Sequence, residues 1–283
     1  MHAEFAMTPL GPIEYTQRGQ GAAVLLLHGT SQDCRDELLG AGLPEAEFRL
    51  LQPSRPGYGR TPLSVGQTAE QAAEAMAALL DAVGVAEASL LAVSGGGPTG
   101  LLLAARHPER VRKLVLMSAI CHTAGRQQEA MFEQQARFYG PSHDMQWRLL
   151  GVFSRLFPRA MAKQTLRLFS THDPEDALRR LTPAEIAALS RFYRKPPYRH
   201  GALSDLYHSV PVEALASIRV PTLIVHSRED RSVPFAHAEY AHTHIPQAEL
   251  YAAPSWSHWV TLGPGADEVK RRVAEFLRGD VQA

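Results

Sequence analysis

Ser94 ends an apolar run, Leu90-Leu91-Ala92-Val93, and three glycines, Gly95-Gly96-Gly97, follow it. A strand that passes through a serine into a helix beginning near Thr99 puts the hydroxyl on a sharp turn. Such a turn has strained backbone angles and closes only if its neighbours are small, as Ala92 and Gly96 are. The turn would lift the hydroxyl above a sheet, where free N–H groups at the helix start point at it. A Gly-rich turn that merely binds phosphate is the alternative. A phosphate loop wants a Lys-Ser/Thr pair after its glycines, and Pro98-Thr99 stands there instead.

A serine hydroxyl attacks only after a base takes its proton, and the base needs a carboxylate to orient it. Among 13 histidines, position has to choose the base. His258 lies in Ser255-Trp256-Ser257-His258-Trp259, just after an apolar run at 249–252. The run before that, 222–227, leads into Arg228-Glu229-Asp230-Arg231-Ser232-Val233-Pro234. Asp230 is the first choice for the acid and Glu229 the second. Each residue alone could be an ordinary solvated loop residue. The order serine, acid, base over successive strand ends is what points to nucleophilic catalysis, because open α/β sheets build their sites at that edge.

These residues need a scaffold that brings strand ends together. The short apolar run at 22–27 reads as a strand buried on both faces, which suggests a parallel sheet covered by helices. The runs at 49–52, 89–93, 113–118, 222–227 and 249–252 read as its further strands. Residues 5–8 and 13–17, around Gly11-Pro12, read as an antiparallel hairpin. Between the strands lie helical patterns. Thr68-Ala69-Glu70-Gln71 fits a capping box, Ala72 to Val83 recur at helical spacing, and Gly84 ends the element. Further helices are expected over 99–106 and 269–277. Strand and helix in alternation predict an α/β fold with right-handed crossovers.

Residues 121–212 break the alternation. No strand pattern occurs there, while Met131, Phe132, Phe138, Tyr139, Trp147, Leu150, Phe153, Leu156, Phe157 and Met161 recur at helical spacing. A helical insertion is expected, most of these residues forming its own small core. The division is then 1–120 and 213–283 for the core and 121–212 for the insertion.

Composition narrows the partners. The 283 residues carry 29 Lys plus Arg and 29 Asp plus Glu, so the formal net charge is zero. No bulk electrostatic attraction to nucleic acid or an anionic membrane is expected. With 45% hydrophobic and 20% charged residues the chain is globular rather than disordered. No long apolar run and no leader pattern is seen, which predicts a cytoplasmic protein. Cys34 and Cys121 cannot build a disulfide framework and are expected as buried, inert thiols. No paired Cys or His spacing suggests a metal, and the glycines make no dinucleotide fingerprint, so no cofactor is expected. The expected partner is a small-molecule substrate; a monomer and a homodimer both suit the sequence.

With these residues the chain resembles the α/β-hydrolase superfamily, over nearly its whole length apart from the insertion. His28-Gly29-Thr30 matches the loop after the third strand, and Arg55-Pro56-Gly57-Tyr58-Gly59-Arg60-Thr61 the loop after the fourth. Ala92-Val93-Ser94-Gly95-Gly96 matches the nucleophile elbow, and His107-Pro108-Glu109-Arg110-Val111 the end of the next helix. His226 to Pro234 and Ser257-His258 match the acid and histidine loops. The resemblance implies a mostly parallel eight-stranded sheet with helices on both faces and a helical cap at 121–212. It implies Ser94 as nucleophile, His258 as general base and acid, and Asp230 as the group orienting it. Backbone N–H groups of Thr30 and Gly95 would form the oxyanion hole. Two positions depart from the family pattern: Ala92 where Gly is usual, and Ser54 where Asp is common.

That resemblance implies a serine hydrolase acting on a small, largely apolar carboxylic ester through an acyl-enzyme. The same triad could serve an amide, a lactone, a thioester or a carbon–carbon bond beside a carbonyl. An aminopeptidase would want carboxylates in the cap, and Asp144, Asp173, Glu175 and Asp176 are available. A non-catalytic binding protein on this fold is the remaining class, and it would have no need of a complete triad.

Overall fold

The third strand, Ala22–Leu27, alternates its buried side chains between two layers, and the sheet is built around it. Leu25 and Leu27 enter one apolar cluster, while Val24 and Leu26 enter a second on the opposite face. A strand covered on both faces requires helices on both faces. The structure, a computed structural model, describes residues 2–122, 144–195 and 198–279.

Eight strands form one sheet: β1 (Glu4–Thr8), β2 (Gly11–Arg18), β3 (Ala22–Leu27), β4 (Phe48–Pro53), β5 (Ala88–Val93), β6 (Val111–Met117), β7 (Thr222–Ser227) and β8 (Glu249–Ala253). Their spatial order is β1-β2-β4-β3-β5-β6-β7-β8. The β1–β2 hairpin and the β2–β4 pair are antiparallel, and all other pairs are parallel. The ends of β5, β6, β7 and β8 therefore lie side by side along one edge.

Helix α1 (Ala69–Ala82) begins as its sequence predicts, the Thr68 hydroxyl accepting from Gln71 N. The other half of the box differs: Gln71 Oε1 reaches one residue further back and accepts from Gln67 N at 2.9 Å. Gly84, at φ +67°, closes the helix with a Val85 N–H to Leu80 carbonyl bond of 2.8 Å, the left-handed C-terminal cap that glycine favours. Helix α2 (Gly97–Arg106) packs with α1 on one face of the sheet.

Among the described residues between β6 and β7, six helices follow: α3 (Asp144–Leu156), α4 (Pro158–Phe169), α5 (Pro174–Arg179), α6 (Pro183–Ser190), α7 (Arg199–Asp205) and α8 (Val212–Ser217). Two short clusters hold them together, one on Ala162, Leu166 and Leu178, the other on Trp147, Met161 and Tyr193. Among the described residues the expected core is divided between these two clusters. Phe153, Leu156 and Phe157 are more than half exposed, because α3 turns one side to Tyr193 and the other outward. Met131, Phe132, Phe138 and Tyr139 lie outside the described residues.

Helices α9 (Ala236–His244) and α10 (Ala266–Arg278) complete the chain, the first unannounced by apolar spacing. Val269, Val273 and Leu277 of α10 pack on the second face of the sheet. Lys113, buried on β6, donates from Nζ to the carbonyls of Phe276, Leu277 and Gly279, a cation on the negative end of a helix. No helix among the described residues is long and apolar enough to cross a membrane.

Candidate active site

Ser94 follows β5 directly and holds φ at +51°. For a residue with a side chain this left-handed conformation costs on the order of 1–3 kcal/mol, so the surrounding contacts must enforce it. The Ser94 carbonyl accepts from Ile120 N at 3.0 Å, tying the turn to the chain leaving β6. A Cβ on Gly96 would sit 2.5 Å from the Leu27 carbonyl oxygen, and one on Gly97 would strike that of Ile120. These glycines are needed for space, since backbone cannot move aside. Ala92, the departure from the family pattern, is accommodated by α2: a Cβ on Gly100 would lie 2.7 Å from the Ala92 methyl.

The acid and the base come together. His258 Nδ1 lies 2.7 Å from Asp230 Oδ2, both side chains buried. Asp230 Oδ1 accepts from the backbone N–H groups of Ser232 and Val233, each at 2.8 Å. Burial alone would raise this carboxyl, but the His258 charge and hydrogen bonds from His226 and His258 outweigh it and hold the group at about 2. An ionised carboxylate can only accept, so His258 carries its proton on Nδ1 and leaves the Nε2 lone pair available. Glu229, the second choice, is not the partner. Its carboxylate bonds the Thr171 hydroxyl and is nearly half exposed.

Neighbouring elements hold His258 in place. Its N–H donates to the Phe169 carbonyl at 2.9 Å, and its own carbonyl accepts from Ser118 Oγ at 2.9 Å. The Phe169 ring lies 5.4 Å and the Trp259 ring 6.1 Å from the imidazole. Thr171 N, just past α4, donates to the Glu229 carbonyl, so the end of α4 is stitched to both the acid and the histidine loops. Ser94 lies two strands from β7, and no direct hydrogen bond joins it to His258 among the described residues. Such bonds are often long before substrate binds.

The loop after β3 lies against the serine. A Cβ on Gly29 would be 3.0 Å from Ser94 Cβ, and one on Gly95 would be 3.3 Å from Thr30 N. Thr30 and Gly95 are thus adjacent, as the oxyanion-hole expectation requires. His28 is fully buried beneath: Nδ1 donates to the Gly29 carbonyl at 2.7 Å, and Nε2 accepts from Arg55 N at 2.9 Å. Burial and then the Arg55 guanidinium push this imidazole down to about 3.

Sequence reasoning missed one acidic group. Asp205, at the end of α7, receives Arg55 Nη1 on Oδ1 at 2.8 Å and Nη2 on Oδ2 at 2.7 Å. Its Oδ2 also accepts from Tyr58 OH at 2.6 Å and Thr30 Oγ1 at 2.8 Å. Arg55 and Tyr58 stand in a motif already singled out, but nothing in the sequence links them to a residue 150 positions away. Three of the carboxylates offered for a substrate amine have other partners. Asp173 caps α5, Glu175 pairs with Lys163, and Asp176 with Arg179. Asp144 opens α3. Ser54 is a buried strut, donating to Glu14 Oε2 at 3.0 Å and accepting from Cys34 N at 3.1 Å. Both cysteines are buried and free, and burial raises Cys34 to about 11 and Cys121 to about 12, the state of inert thiols.

Comparison with known proteins identifies the family of the chain. The family model described as the α/β hydrolase fold matches residues 22–263. The chain is 31% identical over 270 residues to the uncharacterized hydrolase YcgS of Bacillus subtilis, covering 94% of this chain and 95% of that protein. It is 29% identical over 269 residues to a 2-hydroxymuconate semialdehyde hydrolase of Pseudomonas putida, covering 92% and 88%. An α/β-hydrolase fold protein from Nakamurella multipartita superposes with a TM-score of 0.76 at 27% identity, covering 98% of this chain and 99% of that one. With a family match that spans Ser94, Asp230 and His258, the chain belongs to the α/β-hydrolase family and is a hydrolase.

Proposed function

We propose that the chain is a serine hydrolase that cleaves a small, largely apolar carboxylic ester through an acyl-enzyme on Ser94. The observation that carries this reading is the 2.7 Å pairing of buried His258 with Asp230 along the edge where Ser94 emerges. His258 Nε2 takes the Ser94 proton as Oγ adds to the ester carbonyl. The tetrahedral oxyanion lies on the N–H groups of Thr30 and Gly95, where one lost donor typically costs on the order of 10²–10³ in rate. The imidazolium, stabilised by Asp230, then protonates the departing alkoxide. Water, deprotonated by the same nitrogen, cleaves the acyl-enzyme and restores Ser94. Residues 121–212 serve as the cap, and the Phe169, Phe192 and Trp259 rings, mutually 5.6–6.4 Å apart, make an apolar wall beside His258.

The likeness to a 2-hydroxymuconate semialdehyde hydrolase favours a second reading: the same residues cleaving a carbon–carbon bond beside a carbonyl. Labelling with a fluorophosphonate followed by mass spectrometry tests the shared mechanism. Ser94 is expected to carry the label, and Ser94→Ala to lose both label and turnover; full activity in that variant sinks both readings. An acyl-chain series of nitrophenyl esters, run beside aminoacyl amides, lactones and a vinylogous 1,5-diketone, selects the bond. Esters that turn over no faster than the diketone would favour the second reading.

A further inference from the structure

A carboxylate lies where its charge would oppose the chemistry proposed above. A Cβ on Gly95 would sit 2.9 Å from Asp205 Oδ2, on the same side as Thr30 N. A negative charge beside amides that must hold a developing oxyanion raises the barrier unless something neutralises it. Arg55 does so with a two-pronged pair in which its side chain is 1% and that of Asp205 7% exposed. Oδ2 takes three donors, from Thr30, Arg55 and Tyr58, and Oδ1 takes the second arm of Arg55, with His208 Nδ1 3.6 Å away. A carboxylate has about four acceptor positions, so this one has nothing left for a substrate.

The donors reveal a different use. Thr30 anchors on Asp205 through its hydroxyl, and Arg55 donates from Nε to the His28 carbonyl at 2.8 Å. The guanidinium and carboxylate thereby grip the loop from both ends of His28-Gly29-Thr30. A second clamp from the same side reinforces it: Tyr198, just before α7, bonds Asp33, and Lys195 pairs with Asp33 and Asp36.

We propose that Asp205 is a positioning residue: from α7 it holds the Thr30 side chain, and so sets the Thr30 N–H to receive the oxyanion. Arg55 cancels its charge and Tyr58 donates to it, so the anchor does not oppose the anion it helps to hold. Seating of α7 on the core and assembly of the oxyanion hole become one event. This rests on the hydrolase mechanism above.

The test compares wild type, Asp205→Asn, Thr30→Val, Thr30→Ser and the Asp205→Asn/Thr30→Val double variant on a nitrophenyl ester. Each is also titrated with a trifluoromethyl ketone, which forms an oxyanion on the serine. A displaced donor loop costs up to about 10²-fold. Asp205→Asn and Thr30→Val should each lower kcat about 10- to 100-fold with KM within about threefold, and weaken the ketone by the same factor. The double variant should fall no further than the worse single one, and Thr30→Ser should recover most of the Thr30→Val loss. Unchanged kcat and ketone affinity in Asp205→Asn, or a raised KM with kcat intact, overturns the proposal. Thr30→Val leaves the ion pair in place and decides the matter if Asp205→Asn does not fold. A wild-type chain that neither labels at Ser94 nor turns over ester overturns the hydrolase mechanism and this role together; a wild type that does both, beside unchanged variants, overturns this role alone.

Discussion

His226 Nε2 lies 3.3 Å from Asp230 Oδ2, the same oxygen that receives His258 Nδ1. The His226 nitrogen also faces the Val233 carbonyl at 2.8 Å, an oxygen that can only accept, so Nε2 carries the proton. That proton edge closes the loop over Asp230 and steadies the carboxylate. His226→Leu should lower kcat on the order of tenfold with little change in KM, through misplacement of Asp230. His226→Gln, whose amide N–H can reach the same position, should recover part of the loss. Steady-state kinetics on one ester checks both, and equal losses in the two variants would show packing at work rather than the donor.

Ser94 strain should be measurable as stability. A left-handed residue with a Cβ costs about 1–2 kcal/mol, while glycine adopts the conformation freely and gives back about 0.5–1 in unfolded-chain entropy. Ser94 sits at φ +51°. Ser94→Gly should therefore be more stable than Ser94→Ala by about 0.5–1 kcal/mol, although both are inactive. Urea unfolding of the pair decides it; equal midpoints would cap the strain at the glycine entropy cost of about 0.5–1 kcal/mol, and a glycine variant less stable than the alanine one by that amount would mean the turn holds none.

The line between what the sequence reveals and what it hides runs through these residues. Ser94 and Asp230 are legible because each follows an apolar run that reads as a buried strand, and His258 because it follows the last strand pattern, although β8, at the sheet edge, buries only Ala253. Parallel strands share one functional edge. The loop after β7 offers Asp230 first and Glu229 second, and packing is what separates them. Two backbone N–H groups and an imidazole converge on Asp230, while Glu229 turns to Thr171. The helices between β6 and β7 are legible by their period, but not the outward face of Phe153, Leu156 and Phe157, because amphipathic spacing does not say which side has a neighbour. Asp205 is the extreme case. Its partners lie 147 to 175 positions away, and no local pattern encodes a contact made by docking one segment on another.

Acid should weaken the fold through His28. Unfolded, this imidazole binds its proton near the ordinary 6.5; folded, it does so only at about 3. Between those values the unfolded chain holds the extra proton, so stability is full above the window and falls as pH drops through it. Protonation would put an N–H on Nε2 facing the Arg55 N–H it now accepts at 2.9 Å. The full window is worth on the order of 5 kcal/mol. Urea midpoints should fall from pH 6.5 toward 4, and fall less steeply in His28→Gln. An identical slope would assign the loss to other groups, such as His237, also held at about 3 by burial and then by His122.

The fit between Ala92 and Gly100 yields a reciprocal test. A methyl added at Gly100 would meet the Ala92 methyl at 2.7 Å, but would make ordinary contacts with Leu27 at 3.5 Å and Leu114 at 3.8 Å. Gly100→Ala alone should cost about 1–3 kcal/mol by overpacking, reduced by up to about 1 kcal/mol of helix propensity. Ala92→Gly alone loses a buried methyl and loosens the strand before Ser94. Together the two changes exchange one methyl for another across the same contact, so the double variant should be more stable than the sum of the singles by about 1–3 kcal/mol. Thermal unfolding of the four proteins closes the cycle. Additive losses would mean that Gly100 is small for a reason other than the Ala92 methyl, and that the turn tolerates alanine without help from α2.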